Sequence, residues 1–131
     1  MVSICSNSSN RELILRDKYG EYMQVVLAGE VSASTTVWLY TKENSLSNFF
    51  ETLSSYDKPW KGTRTWTSIE NDLSISVSSS SLGAVLFEIT LCSLQGEEEW
   101  QINISINSEF GQLSHIAKDV KDFLQQENQH S

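Results

Sequence analysis

Residues 56–73 read YDKPWKGTRTWTSIENDL, from Tyr56 to Leu73. They hold the only proline, two of the four tryptophans and three of the nine basic residues. The stretch is the part of the chain least explained by packing, and it reads as an extended loop between two halves of like pattern. Each half runs strand, strand, strand and then amphipathic helix, so residues 56–73 set where one repeat of that order ends and the next begins.

In the first half, Glu12 to Arg16 reads as a short strand, closed by the turn signal Asp17-Lys18-Tyr19-Gly20. Tyr22 to Leu27 is rich in the β-branched and aromatic residues that strands favour, and Gly29 marks a turn or bulge. From Val31 to Tyr40 the residues alternate, with Val31, Ala33, Thr35, Val37 and Leu39 on one face and Trp38 and Tyr40 on the other. A period of two is that of a half-buried strand. The spacing then changes. Leu46, Phe49, Phe50 and Leu53 fall at i, i+3, i+4 and i+7, one face of a helix that Asn44 or Ser45 can cap.

In the second half, Leu73, Ile75 and Val77 alternate with serines. Val85, Phe87, Ile89 and Leu91 line the next strand, and Trp100, Ile102, Ile104 and Ile106 the one after it. The connections are too short for parallel crossovers, so these strands are expected to be antiparallel. A last helix over about Gly111 to Gln125 gathers Leu113, Ile116, Ala117, Val120, Phe123 and Leu124 into one stripe. The expected fold is therefore α+β, of order βββα-βββα, an antiparallel sheet with two amphipathic helices on one face. Its other face would be rich in Ser, Thr, Asn and Gln and wet. Residues 1–131 form a single domain in this reading, with 1–10 and 126–131 as mobile ends.

Composition bounds the function. The apolar fraction of 39% is that of a folded chain, and 131 residues can bury roughly two-thirds of their extended surface in one core. No run is long enough to span a bilayer as a helix, and Met1 to Ile14 lacks the features of a signal peptide. The expectation is a cytoplasmic protein whose Cys5 and Cys92 stay reduced. A formal charge of −8 opposes nucleic acid and anionic membranes as partners and favours a basic protein.

Little in the chain suggests catalysis. His115 lies off the apolar stripe of the last helix and His130 in the tail, which makes no zinc set. No nucleophile elbow, P-loop or dinucleotide turn is present. Glu70 and Asp72 would point to one side of a strand start, where turn bonds or an ion pair with Arg64 explain them better than acid–base work. A Cys92–His115 nucleophile is weaker than a buried structural thiol as an account of Cys92. No enzyme activity, cofactor or metal is expected.

Candidate contact residues are of three kinds. Trp38 and Tyr40 stand on the face opposite the Val31 stripe. Trp60 and Trp66, with Arg64, either close one end of the core as a lid, the preferred reading, or form an exposed hot spot. Glu97, Glu98 and Glu99 make an acidic hairpin, a solvated turn or a patch for a basic partner.

The run from Trp60 to Leu73 resembles a W-x-G-x-x-x-W-x-S-x-E-x-D-L motif of a family of small uncharacterised bacterial proteins. The likeness extends from about Val37 to Leu124 and includes segments similar to Leu46–Leu53 and Gly111–Ala117. That family includes immunity proteins of the wall-associated toxin type. The resemblance implies a non-enzymatic protein-binding module, an immunity-type inhibitor with a basic toxin domain as partner. The alternative is a small structural or accessory domain acting through self-association.

Overall fold

The computed structural model of the chain describes residues 1–39, 43–93 and 98–125, with residues 43 and 44 described by their backbone alone. Apolar alternation builds the first half: β1 (Val2–Cys5), β2 (Glu12–Tyr19), β3 (Tyr22–Ala28) and β4 (Ala33–Trp38) pair antiparallel in chain order. Leu13, Leu15, Met23, Val25, Leu27 and Val37 turn inward and are fully buried, while Arg16, Tyr22, Ser34 and Thr36 face out. The register of β2 on β3 shifts between Arg16 and Tyr19, where Asp17 takes a positive φ of 52°. That bulge lengthens β2 beyond the Arg16 end expected from the sequence.

Helix α1 (Glu43–Ser55) follows, and its Leu46, Phe50 and Leu53 are buried as the helical spacing requires. It begins earlier than the expected caps. Ser45 lies inside the first turn, and its Oγ accepts the indole N–H of Trp66 at 3.1 Å instead of capping. The second half repeats the scheme with β5 (Thr63–Thr67), β6 (Leu73–Ser79), β7 (Ala84–Ser93) and β8 (Trp100–Glu109), again antiparallel in chain order. A 3₁₀ turn at Phe110–Gln112 leads into α2 (Leu113–Leu124), which buries all six residues of its expected stripe.

The expected order is corrected in one respect: it is four strands and a helix, twice. The strands form two four-stranded sheets, a division the sequence left open. The missed strands have different causes. Residues 1–10, read as a mobile end, contain β1, whose Val2 and Ile4 are buried against the core. Four residues among serines and asparagines give too short a period to stand out. β5 lies within the stretch read as a loop, and four of its five side chains are exposed. Its strand character comes from Thr63, Thr65 and Thr67, β-branched residues paired across to Ser78, Ser76 and Ser74.

Both sheets and both helices converge on one buried cluster. The ring of Phe50 in α1 lies 6.5 Å from that of Phe87 in β7. The helices lie against each other, tied at their surface by Lys121 Nζ and Glu51 Oε1 at 3.8 Å. The halves are also joined where β1 gives way to its loop. The Asn7 N–H donates to the Asn107 carbonyl at 2.9 Å, and Arg11 Nη1 donates to the Ser105 carbonyl at 3.2 Å. These isolated bonds join the two sheets at a seam without making a continuous ladder.

Candidate functional site

Because β6, β7 and β8 bury one face, alternation leaves their other face to small polar residues. Reading across the strands, one row is Thr67, Ser74, Thr90 and Asn103, and the next is Thr65, Ser76, Glu88 and Ser105. Neighbours within the rows are hydrogen-bonded: Thr65 Oγ1 to Ser76 Oγ at 2.9 Å, and Thr90 Oγ1 donating to Asn103 Oδ1 at 2.6 Å. Such cross-strand pairs hold short side chains in place, so little side-chain entropy remains to be lost on binding. Glu88 is an exposed carboxylate within this hydroxyl face.

One end of the same sheet is built by the turn between β5 and β6. The Ser68 hydroxyl donates to Asp72 Oδ1 at 2.5 Å and accepts the backbone N–H groups of Asp72 and Leu73 at 3.2 and 3.0 Å. Asn71 takes a φ of 62°, a left-handed conformation that asparagine tolerates better than most residues. Ser68 and Asp72 are buried, whereas Glu70 points to solvent, so the two carboxylates do not share a side as expected. Asp72 meets the Ser68 hydroxyl and not Arg64.

Beside this turn lies Cys92, whose Sγ donates to the Asn71 carbonyl at 3.4 Å. Burial raises the thiol above its ordinary range, and the charges of Asp72 and Glu99 push it the same way. The turn and the β8 hairpin therefore meet at one negative end, with Glu70, Glu98 and Glu99 exposed there. Glu97 lies outside the described residues.

Charge along the chain makes this more than a local cluster. From Thr65 to Ala117 the sequence holds Glu70, Asp72, Glu88, Glu97, Glu98, Glu99 and Glu109 and not one Lys or Arg. Seven carboxylates without a cation nearly equal the net charge of −8 of the whole chain. The basic residues are all in the first half, the central stretch and α2.

The tryptophans divide. Trp60 is buried at 7% exposure, stacked on Tyr56 at 5.2 Å and 6.3 Å from Phe110, as a lid on the core would be. Its indole N–H has no acceptor among the described residues. Trp66 is half-buried against the core and spends its N–H on Ser45. Arg64 is exposed, lies 5.9 Å above the Tyr56 ring, and donates to the Tyr56 hydroxyl and the Lys61 carbonyl. Trp38 is half-buried on the outer face of the first sheet, its N–H held by Glu21 Oε2 at 3.1 Å. Tyr40 lies outside the described residues, as does His130.

Sequence reasoning passed over two exposed aromatics beside Trp38. Tyr22 stacks on Trp38 with ring centroids 6.4 Å apart and is 49% exposed, and Tyr19, opposite Tyr22 across the hairpin, is 65% exposed. The available signal was their position on either side of the Gly20–Glu21 turn, which places them side by side. His115 is exposed on α2, and Cys5 and Cys92 are unpaired. Among the described residues no group of three or more His, Cys, Asp or Glu side chains is placed to hold a metal ion. No helix among them is long and apolar enough to cross a membrane.

Over residues 5–127 the chain matches the family of unknown function DUF6228, and it belongs to that family. No curated protein matches it. The immunity-type role implied by the sequence resemblance rests on that resemblance alone.

Proposed function

We propose that this protein is a non-enzymatic protein-binding module whose acidic half receives a basic protein domain, as an immunity-type inhibitor of a bacterial toxin does. The observation that carries this reading is the run from Thr65 to Ala117, seven carboxylates with no Lys or Arg among them. A surface of one sign steers an oppositely charged partner and rejects partners of like charge. The hydroxyl face around Glu88 supplies donors and acceptors already ordered by cross-strand bonds.

The test is capture from a lysate of the source organism with the wild-type chain and with a Glu70→Lys/Glu98→Lys/Glu99→Lys variant. The expected result is one basic protein retained by the wild type, released by salt, and lost or weakened by about tenfold or more in the variant. Recovery of the same proteins by both baits sinks the proposal.

A second reading, self-association, is favoured by the exposed aromatics Tyr19 and Tyr22 beside Trp38, next to β4, the terminal strand of its sheet among the described residues. Light scattering over a dilution series separates the two. A concentration-dependent dimer that Tyr22→Ser dissolves supports self-association, and a monomer at every concentration excludes it.

A further inference from the structure

We infer that the free edge of β5 and the groove beside α1 form a docking site for an extended acidic segment of a partner protein. β5 is the terminal strand of its sheet, with β6 on one side only. Among the described residues no backbone hydrogen bond from another element reaches its outer edge. Alternate N–H and C=O groups from Thr63 to Thr67 therefore stand open, a template for one more strand. The register with β6 is unbroken and the strand contains no proline, so neither a bulge nor a missing donor blocks that edge.

Helix α1 runs alongside and leaves a groove of about 240 Å³ lined by Asn48, Phe49, Thr52, Leu53, Arg64 and Thr65. That is below the ~300–1,000 Å³ of typical small-ligand pockets, and it suits side chains of a bound strand. A strand laid on β5 sends every second side chain toward α1, where Phe49 and Leu53 offer apolar contact, while main-chain bonds supply affinity.

Charge selects the occupant. The loop entering β5 carries Lys58 and Lys61, and β5 itself carries Arg64, against Asp57 alone, in a chain that is otherwise strongly acidic. None of the three cations meets a carboxylate within 4.0 Å among the described residues. Arg64 is instead held in place by the Tyr56 hydroxyl and the Lys61 carbonyl. Two copies pairing edge to edge would bring these like charges together, which argues against a second copy and for a segment carrying carboxylates.

The test uses the full ¹⁵N-labelled chain and a blocked nonapeptide of alternating valine and aspartate as probe. Two peptides serve as controls: alternating valine and lysine, and the acidic peptide with alternate amides N-methylated. The expected result is saturable shifts confined to residues 61–67 and the facing side of α1. The dissociation constant should rise about tenfold or more in Arg64→Glu and also in Lys61→Glu, with neither control bound. Both variants change exposed side chains, and their unchanged spectra elsewhere verify folding.

Four outcomes of the peptide titrations overturn the inference. They are no shift at roughly 1 mM acidic peptide, equal binding of the lysine peptide, equal binding of the N-methylated peptide, or shifts lying elsewhere. A dimer that Thr65→Pro dissolves also overturns it, since the edge would then belong to a second copy.

Discussion

Replacing Ser68 by alanine removes one hydroxyl that makes three hydrogen bonds. Ser68 is 3% exposed and Asp72 is 9% exposed, so water does not readily replace what is lost. A hydrogen bond to a charged group contributes roughly 1.5–3 kcal/mol, and each buried donor left without an acceptor costs roughly 1–3 kcal/mol. These terms share one atom and do not add in full. The backbone bonds from the Ser68 N–H to the Leu73 carbonyl and from the Asn71 N–H to the Ser68 carbonyl remain. A net loss of about 2–4 kcal/mol is expected, a large share of the ~5–15 kcal/mol that holds a domain of this kind folded. In urea, with a slope near ~2 kcal/mol per molar, the midpoint should fall by about 1–2 M without a change of slope. Glu70→Ala, two residues away and exposed, should change stability by less than ~0.5 kcal/mol. A cycle with Asp72→Ala should show coupling of at least ~1 kcal/mol. If Ser68→Ala stays within ~0.5 kcal/mol of the wild type, the turn does not depend on that hydroxyl and the account given of residues 68–73 is wrong.

Trp60→Ala should cost about 3–5 kcal/mol by urea titration. Trp60→Phe should cost clearly less than that, because it keeps most of the ring and removes a buried N–H that has no acceptor among the described residues. Gly29 has a φ of 141°, and a Cβ added there would sit 3.1 Å from the Arg11 Cα, so Gly29→Ala should lose about 1–3 kcal/mol in the same assay. A thiol reagent should modify exposed Cys5 at once and buried Cys92 only as the protein unfolds. The Cys92 thiol is raised in the folded state, so its contribution to stability is present below the unfolded value of about 8.5 and is lost as pH rises toward the folded one. Urea stability above that pH should therefore fall more steeply in the wild type than in Cys92→Ala. Parallel pH curves would refute the assignment.

Much of the fold was legible because burial on one face imposes a period. The strictest alternation, in β6, β7 and β8, and the two helical stripes appear in the structure where the spacing places them. The wet polar face of the second sheet was legible for the same reason, as the other phase of that period. β1 and β5 were missed because one is too short to show a period and the other buries almost nothing. The division of Glu70 from Asp72 was also hidden. A spacing of two implies a shared side only where backbone is extended, and the turn at Asn71 breaks that extension.

By itself, then, the sequence determined the type and inward face of each long element and the concentration of negative charge between Thr65 and Ala117. All are properties of neighbours along the chain. Only the tertiary structure decided that there are two sheets, that Trp60 closes the core while Arg64 lies on the terminal strand of its sheet, and that the Ser68 turn meets the β8 hairpin. Those outcomes depend on which edges and side chains meet across dozens of residues, and no local period encodes that meeting.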